Sequence, residues 1–173
     1  MTSIPDPKRC LELLREAGCS DAVINHCKTV RDLAIKIAKR AQADVELVEA
    51  GALLHDIGRS KTHGIRHGVE GAKIAREQGL PVSIVNIIER HLGAGIAEDE
   101  AERLGLPKKN YMPQTLEEKI VAHADNLTDD GKKQPLEKEA KKVLQKGHKQ
   151  YAEKLIRLHQ ELSEICGIDL NEL

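Results

Sequence analysis

Five residues of this chain that could bind metal interrupt faces that are otherwise apolar: His26, His55, Asp56, His91 and Asp125, with His67 at the start of a further helix. Buried polar groups need partners, and a buried carboxylate most of all. A lone histidine on an apolar face is usually a hydrogen-bonded core residue. Three histidines and two carboxylates spread over four helices are explained more economically by shared ion binding. The doublet His55-Asp56 sharpens the argument, because adjacent helical residues point about 100° apart and can both reach one ion only at the inward edge of a helix end. Gly58 follows at once, and glycine is common just past a last turn, so the sequence predicts that Gly58 ends this helix. The chemistry such a site offers is a bound water whose pKa falls to about 7, which supplies hydroxide at neutral pH. Imidazole and carboxylate donors suit many first-row ions, so ligand type does not choose among them.

These residues need helices to hold them. Asp6 before Pro7 predicts a capped first helix that ends near Gly18 and packs as a lid. Val23, His26, Val30, Leu33 and Ile37 share one face of a second helix from Ser20 to about Gln42. Asp44 caps a third, from Val45 to the doublet, and a basic loop, Arg59 to Gly64, follows it. A fourth helix starts at His67 and stops at Gly79, and Pro81 restarts a fifth that runs to His91. Glycines and prolines between Gly93 and Pro113 mark a long excursion around a short helix, Glu98 to Leu104. Thr115 with Glu118 forms a capping box that opens the helix carrying Asp125.

From Pro135 to about Cys166 the pattern reads as one long amphipathic helix, with Gly147 as a kink or interruption. Its Lys-rich side, with Lys138, Lys141, Lys142, Lys146 and Lys149, reads as a solvated face. His123, His148 and His159 fit no ligand position and are left structural or exposed. Strands have almost no alternating support, so the fold class is all-α, in a single domain over residues 1–173.

Composition bounds the function. Apolar residues make up 40% and charged residues 32%, with two Tyr and neither Phe nor Trp, so aliphatic side chains must build the core. A formal net charge of -1 predicts no strong pull toward nucleic acid or a membrane surface, and no sequence-specific nucleic-acid partner is expected. Cys10, Cys19, Cys27 and Cys166 lack C-x-x-C spacing, which predicts reduced thiols and a cytoplasmic location. A homo-oligomer is left open.

In order and approximate spacing, His26, His55-Asp56 and Asp125 resemble the H…HD…D pattern of the HD-domain superfamily of metal-dependent phosphohydrolases. His55-Asp56-Ile57-Gly58 is its HDIG variant verbatim, and the resemblance covers roughly residues 20 to 130. It implies a bundle of about five core helices with extra helices at both ends, in which His26, His55, Asp56 and Asp125 hold one divalent ion. His67 and His91 extend the pattern to the six-ligand form, H…HD…H…H…D. In that form Asp56 bridges two ions and the two histidines bind the second, although they could instead contact phosphate beside a single metal. The resemblance favours iron or manganese, while zinc, nickel, cobalt and magnesium also fit.

It further implies cleavage of a phosphoester or phosphoanhydride of a small molecule, a nucleotide by preference, by metal-activated hydroxide. Asp56 would be catalytic, and Arg59 and Lys61, with Arg66 nearby, are placed to position phosphate; many members carry Lys where Arg59 stands. The six-ligand pattern also resembles di-iron oxygenases of the superfamily, and a nucleotide-binding regulator that keeps its metal is a third reading.

Overall fold

A computed structural model describes residues 3–173 of the chain, and the regular structure of the described residues is almost wholly helical. Asp6 accepts a hydrogen bond from the Arg9 amide at 2.8 Å and starts α1 (Pro7–Ala17), which Gly18 ends at φ 96°. Ser20 caps α2 (Asp21–Ala41), and Asp44 caps α3 (Val45–Leu54) through the Leu47 amide. The other helices are α4 (His67–Glu77), α5 (Val82–Glu89), α6 (Glu98–Arg103), α7 (Leu116–Asn126), α8 (Leu136–Gln145) and α9 (Lys149–Cys166).

The apolar α3 is the hub. It packs against α1, α2, α5 and α7, which is why its C-terminal half, from Ala50 to Leu54, is apolar on all sides. Two cores flank it. One joins Ile37, Val48, Ile120, Leu155 and Leu162 from α2, α3, α7 and α9; the other joins Leu14, Leu53, Leu54, Ile84 and Ile88 from α1, α3 and α5. A smaller cluster of Leu92, Ile96, Ala101, Leu106 and Tyr111 anchors the 93–113 excursion, which Lys109 ties to buried Glu89 at 2.6 Å. Ends of α3, α4, α5 and α7 meet near one spot, and α2 passes beside it.

Four expectations need correction. First, α3 stops at Leu54, and Gly58 does not end it; Gly58 lies inside a 3-10 turn, Ile57–Ser60. A Cβ there would overlap the His67 carbonyl oxygen, so this glycine is needed to let the turn press against α4. Second, α1 is no lid over the doublet. It buries Cys10, Leu13 and Leu14 against α3 and the 3-10 turn.

Third, the long C-terminal helix is two helices, broken at the Gly147 interruption that the sequence marks. Gly147 at φ 80° ends the first, and α8 folds back on α9. Fourth, a short antiparallel ladder does form: Thr128–Asp129 (β1) pairs with Lys132–Lys133 (β2) around Asp130-Gly131, both at positive φ. That dipeptide is a tight-hairpin signal whose strands are too short to show alternation.

Candidate metal centre

His55 and Asp56 occupy the turn just past α3, His67 is the first residue of α4, and His91 lies just past α5. His26 projects from α2 and Asp125 from the last turn of α7. Three of the histidines use their rings alike: Nδ1 of His55, His67 and His91 donates to the carbonyls of Ala52, Gly64 and Ile88 at 2.6, 2.8 and 2.6 Å. A carbonyl only accepts, so each Nδ1 carries a proton, and it is Nε2 that faces inward with a lone pair to offer a metal. Backbone anchoring of this kind fixes tautomer and ring direction in metal-binding histidines.

The lone pairs converge on Asp56, which is 2% exposed. Its Oδ1 lies 3.4 Å from His67 Nε2 and 3.2 Å from His91 Nε2. Its Oδ2 lies 3.5 Å from His26 Nε2 and 3.6 Å from His55 Nε2. Asp125 Oδ1 completes this second side, 2.9 Å from His26 Nε2 and 3.5 Å from His55 Nε2. The two oxygens of one carboxylate thus face two separate donor groups.

The atoms of these residues fit a metal. His55 Nε2 and Asp56 Oδ1 are buried with no hydrogen-bond partner among the described residues. Each such orphan costs roughly 1–3 kcal/mol if left unpaired. His67 Nε2 and His91 Nε2 sit 3.0 Å apart, lone pair to lone pair, which repels unless a cation is shared between them. Donors bound at about 2.1 Å around one ion stand roughly 3.0–3.4 Å from each other, the spacing seen here. His26, His55 and Asp125 form one group whose ligand atoms lie within 4.8 Å of one another, and Asp56, His67 and His91 form another. Cys27 makes a third such group with His55 and Asp56. As a lone buried thiol on α2, it carried no sequence signal beyond its place one residue after His26.

Charge reinforces the picture. Burial works to raise the Asp125 carboxyl, yet the His26 hydrogen bond and the nearby His55 ring hold it well below the usual carboxylate range. Asp56 is likewise held low against its burial by His55, His67 and His91. Burial opposes the protonated form of His55, but Asp56 and Asp125 outweigh it and raise its pKa well above normal. His91 is pushed down, by burial above all. The two fixed anions therefore favour positive charge at His55, whether a proton or a metal ion supplies it.

Over this group opens a cleft of about 270 Å³. Arg59, His67, His91 and Asp125 line its floor, and Asn126, Lys142 and Tyr151 are among its walls. Arg59 Nε reaches Asp56 Oδ2 at 3.0 Å, so its guanidinium is held at the floor. Lys61 is not brought here. It lines a separate groove of about 200 Å³ between α1 and α4, beside Glu16 and Glu77, which removes the geometric ground for its phosphate role. Arg66 donates to the Gly105 carbonyl at 3.0 Å and braces the excursion. Lys142, on a face that the sequence reads as solvated, reaches the cleft because α8 folds back, and Tyr151 on α9 lines it too.

A family model described as "HD domain" matches residues 23–130. The chain belongs to the HD domain family. Among its relatives, a tRNA (cytidine(56)-2'-O)-methyltransferase of Thermoplasma volcanium is 49% identical over 170 residues, covering 98% of this chain and 50% of that protein. The HD chain therefore spans about half the length of that relative. An uncharacterized protein of Methanocaldococcus jannaschii is 46% identical over 166 residues, covering 91% of this chain and 97% of its own. In fold, the HD domain of the L. monocytogenes phosphodiesterase PgpH superposes with a TM-score of 0.63 at 18% identity, covering 94% of this chain and 95% of that one. That domain has also been solved in complex with cyclic-di-AMP. No helix among the described residues is long and apolar enough to cross a membrane.

Proposed function

We infer that this HD protein is a metal-dependent phosphohydrolase that cleaves a phosphate ester or anhydride of a small molecule. The observation that carries the reading is the set of Nδ1-anchored histidines whose Nε2 atoms meet on both oxygens of Asp56. His26, His55, Asp56 and Asp125 would hold one ion, and Asp56, His67 and His91 a second, with iron or manganese favoured. When bound, such ions supply hydroxide at neutral pH and polarise a phosphoryl oxygen. The protein's own part is to hold the donors rigid and to keep both carboxylates ionised. Arg59 at the cleft floor offers planar positive charge to a phosphate, at the expense of its 3.0 Å contact with Asp56.

The name of the Thermoplasma relative supports a second reading of the substrate, a phosphate group derived from tRNA. Its methyl transfer is said of a protein twice as long, and the ligand cluster in the shared half suits hydrolysis. The test is anaerobic phosphate release with manganese over a panel of nucleotides, sugar phosphates and short RNA ends. Wild-type protein should turn over at least one class, and Asp56→Ala should lose both metal and turnover. Oxygen consumption that depends on reduced iron, without phosphate release, would favour oxygenase chemistry instead.

A further inference from the structure

The family match ends at residue 130, yet one wall of the cleft comes from beyond it. Glu139 and Lys142 on α8 and Tyr151 on α9 line the cleft together with His67 and His91. Lys142 Nζ stands 3.4 Å from both Asp129 and Glu139, so a single cation is shared by two carboxylates on the rim. The Tyr151 ring lies against the backbone of Gly93, where any side chain would collide with its hydroxyl end. No protein group among the described residues hydrogen-bonds that hydroxyl, and it borders the cleft. Burial first, then Glu139 and Asp125, raise its pKa, so it keeps its proton and stays a donor.

We propose that this C-terminal wall reads the hydroxyl-bearing part of a substrate with a single phosphate, with Tyr151 and Glu139 as its specificity-determining residues. The proposal rests on the phosphohydrolase reading and narrows it. A phosphate seated on the floor meets Arg59 and the ligand cluster, while the rim presents two carboxylates and one lysine, a net negative edge that repels a second phosphate. Carboxylates, a tyrosine hydroxyl and the Asn126 amide are instead the groups that exchange hydrogen bonds with sugar hydroxyls. Size agrees. About 270 Å³ falls just below the range of roughly 300–1,000 Å³ usual for drug-sized ligands, room for a phosphate and one sugar-sized group.

The experiment is calorimetric binding to the metal-loaded full chain, with inorganic phosphate, ribose 5-phosphate and a cyclic dinucleotide as probes. Ribose 5-phosphate should bind roughly tenfold tighter than inorganic phosphate. Tyr151→Phe, which keeps the ring against Gly93, and Glu139→Gln should each weaken ribose 5-phosphate by roughly fivefold while changing inorganic phosphate by less than about twofold. Equal affinity for the two small probes, tighter binding of the cyclic dinucleotide, or unchanged affinities in both variants would overturn the proposal. Phosphate release measured in parallel separates the two readings. Selective binding without turnover sinks hydrolysis and leaves the wall, whereas turnover with unaltered variant affinities does the reverse.

Discussion

Asp56 is the residue on which the arrangement depends, because each of its oxygens serves a different pair of histidines. A carboxylate that binds one ion needs only one oxygen to face it, and the 3.2 Å and 3.4 Å approaches of His91 and His67 to Oδ1 then lack a purpose. Replacing His67 or His91 with Ala should therefore halve the transition metal bound per chain while the remaining ion stays. Elemental analysis of purified variants checks this, and unchanged stoichiometry would mean a single-metal site with these histidines free to touch substrate. Arg59→Ala should spare the metal, since guanidinium cannot ligate, and raise KM for a phosphate substrate by roughly tenfold, the worth of one charge-assisted hydrogen bond. An unaltered KM would leave the guanidinium as a brace on Asp56.

At the scale of elements, the site depends on close approaches that only small residues allow. Gly58 lets the 3-10 turn meet α4 at His67, so Gly58→Ala should cost about 1–3 kcal/mol by overpacking and also displace His67. Denaturant unfolding and metal titration together should register both losses; an Ala variant as stable and as tight as wild type would rule the contact out. The helices and the residues that converge between them were largely legible in the sequence, because a histidine or aspartate on an apolar face stands out against a 3.6-residue period. Gly58 was legible as special but for the wrong cause, since a helix-ending and a close-packing glycine look alike until the partner strand of chain is known. The cleft wall was not legible: Lys142 on α8 has the pattern of a solvated lysine, and only the turn at Gly147 brings it round.

The same elements contain a buried joint between α7 and α9, where His123 Nε2 meets His159 Nδ1 at 2.8 Å and His159 Nε2 meets Asp169 at 2.8 Å. Burial first, and then His159, push the His123 pKa down to about 3. The unfolded chain binds that proton near pH 6.5, so the stability contributed by neutral His123 is full above about pH 6.5 and is lost as pH falls toward the folded value. His123→Gln removes the titration, and the stability difference between wild type and variant should shrink by roughly 1 kcal/mol per pH unit below that point. The ligand histidines are common to both proteins and cancel. Parallel pH slopes would show that His123 does not titrate in the folded protein as its surroundings dictate.

For the molecule as a whole, the cluster is a liability that a metal turns into a tie. Without a cation, two anionic carboxylates, facing lone pairs and two orphaned atoms sit where α2, α3, α4, α5 and α7 converge. With one, five helices are cross-linked at a single point, although they are far apart in sequence. Any ligand that binds only the folded chain adds stability by mass action, about 2.7 kcal/mol at a hundredfold excess over its dissociation constant. For a chain of this length that corresponds to a rise in Tm of roughly 5–10 °C. Thermal melts with chelator, and again after manganese or iron is restored, should show this shift reversibly in wild type and not in Asp56→Ala. A wild-type Tm indifferent to chelator would mean that the convergence is held by protons rather than metal, and the hydrolytic reading would fall with it.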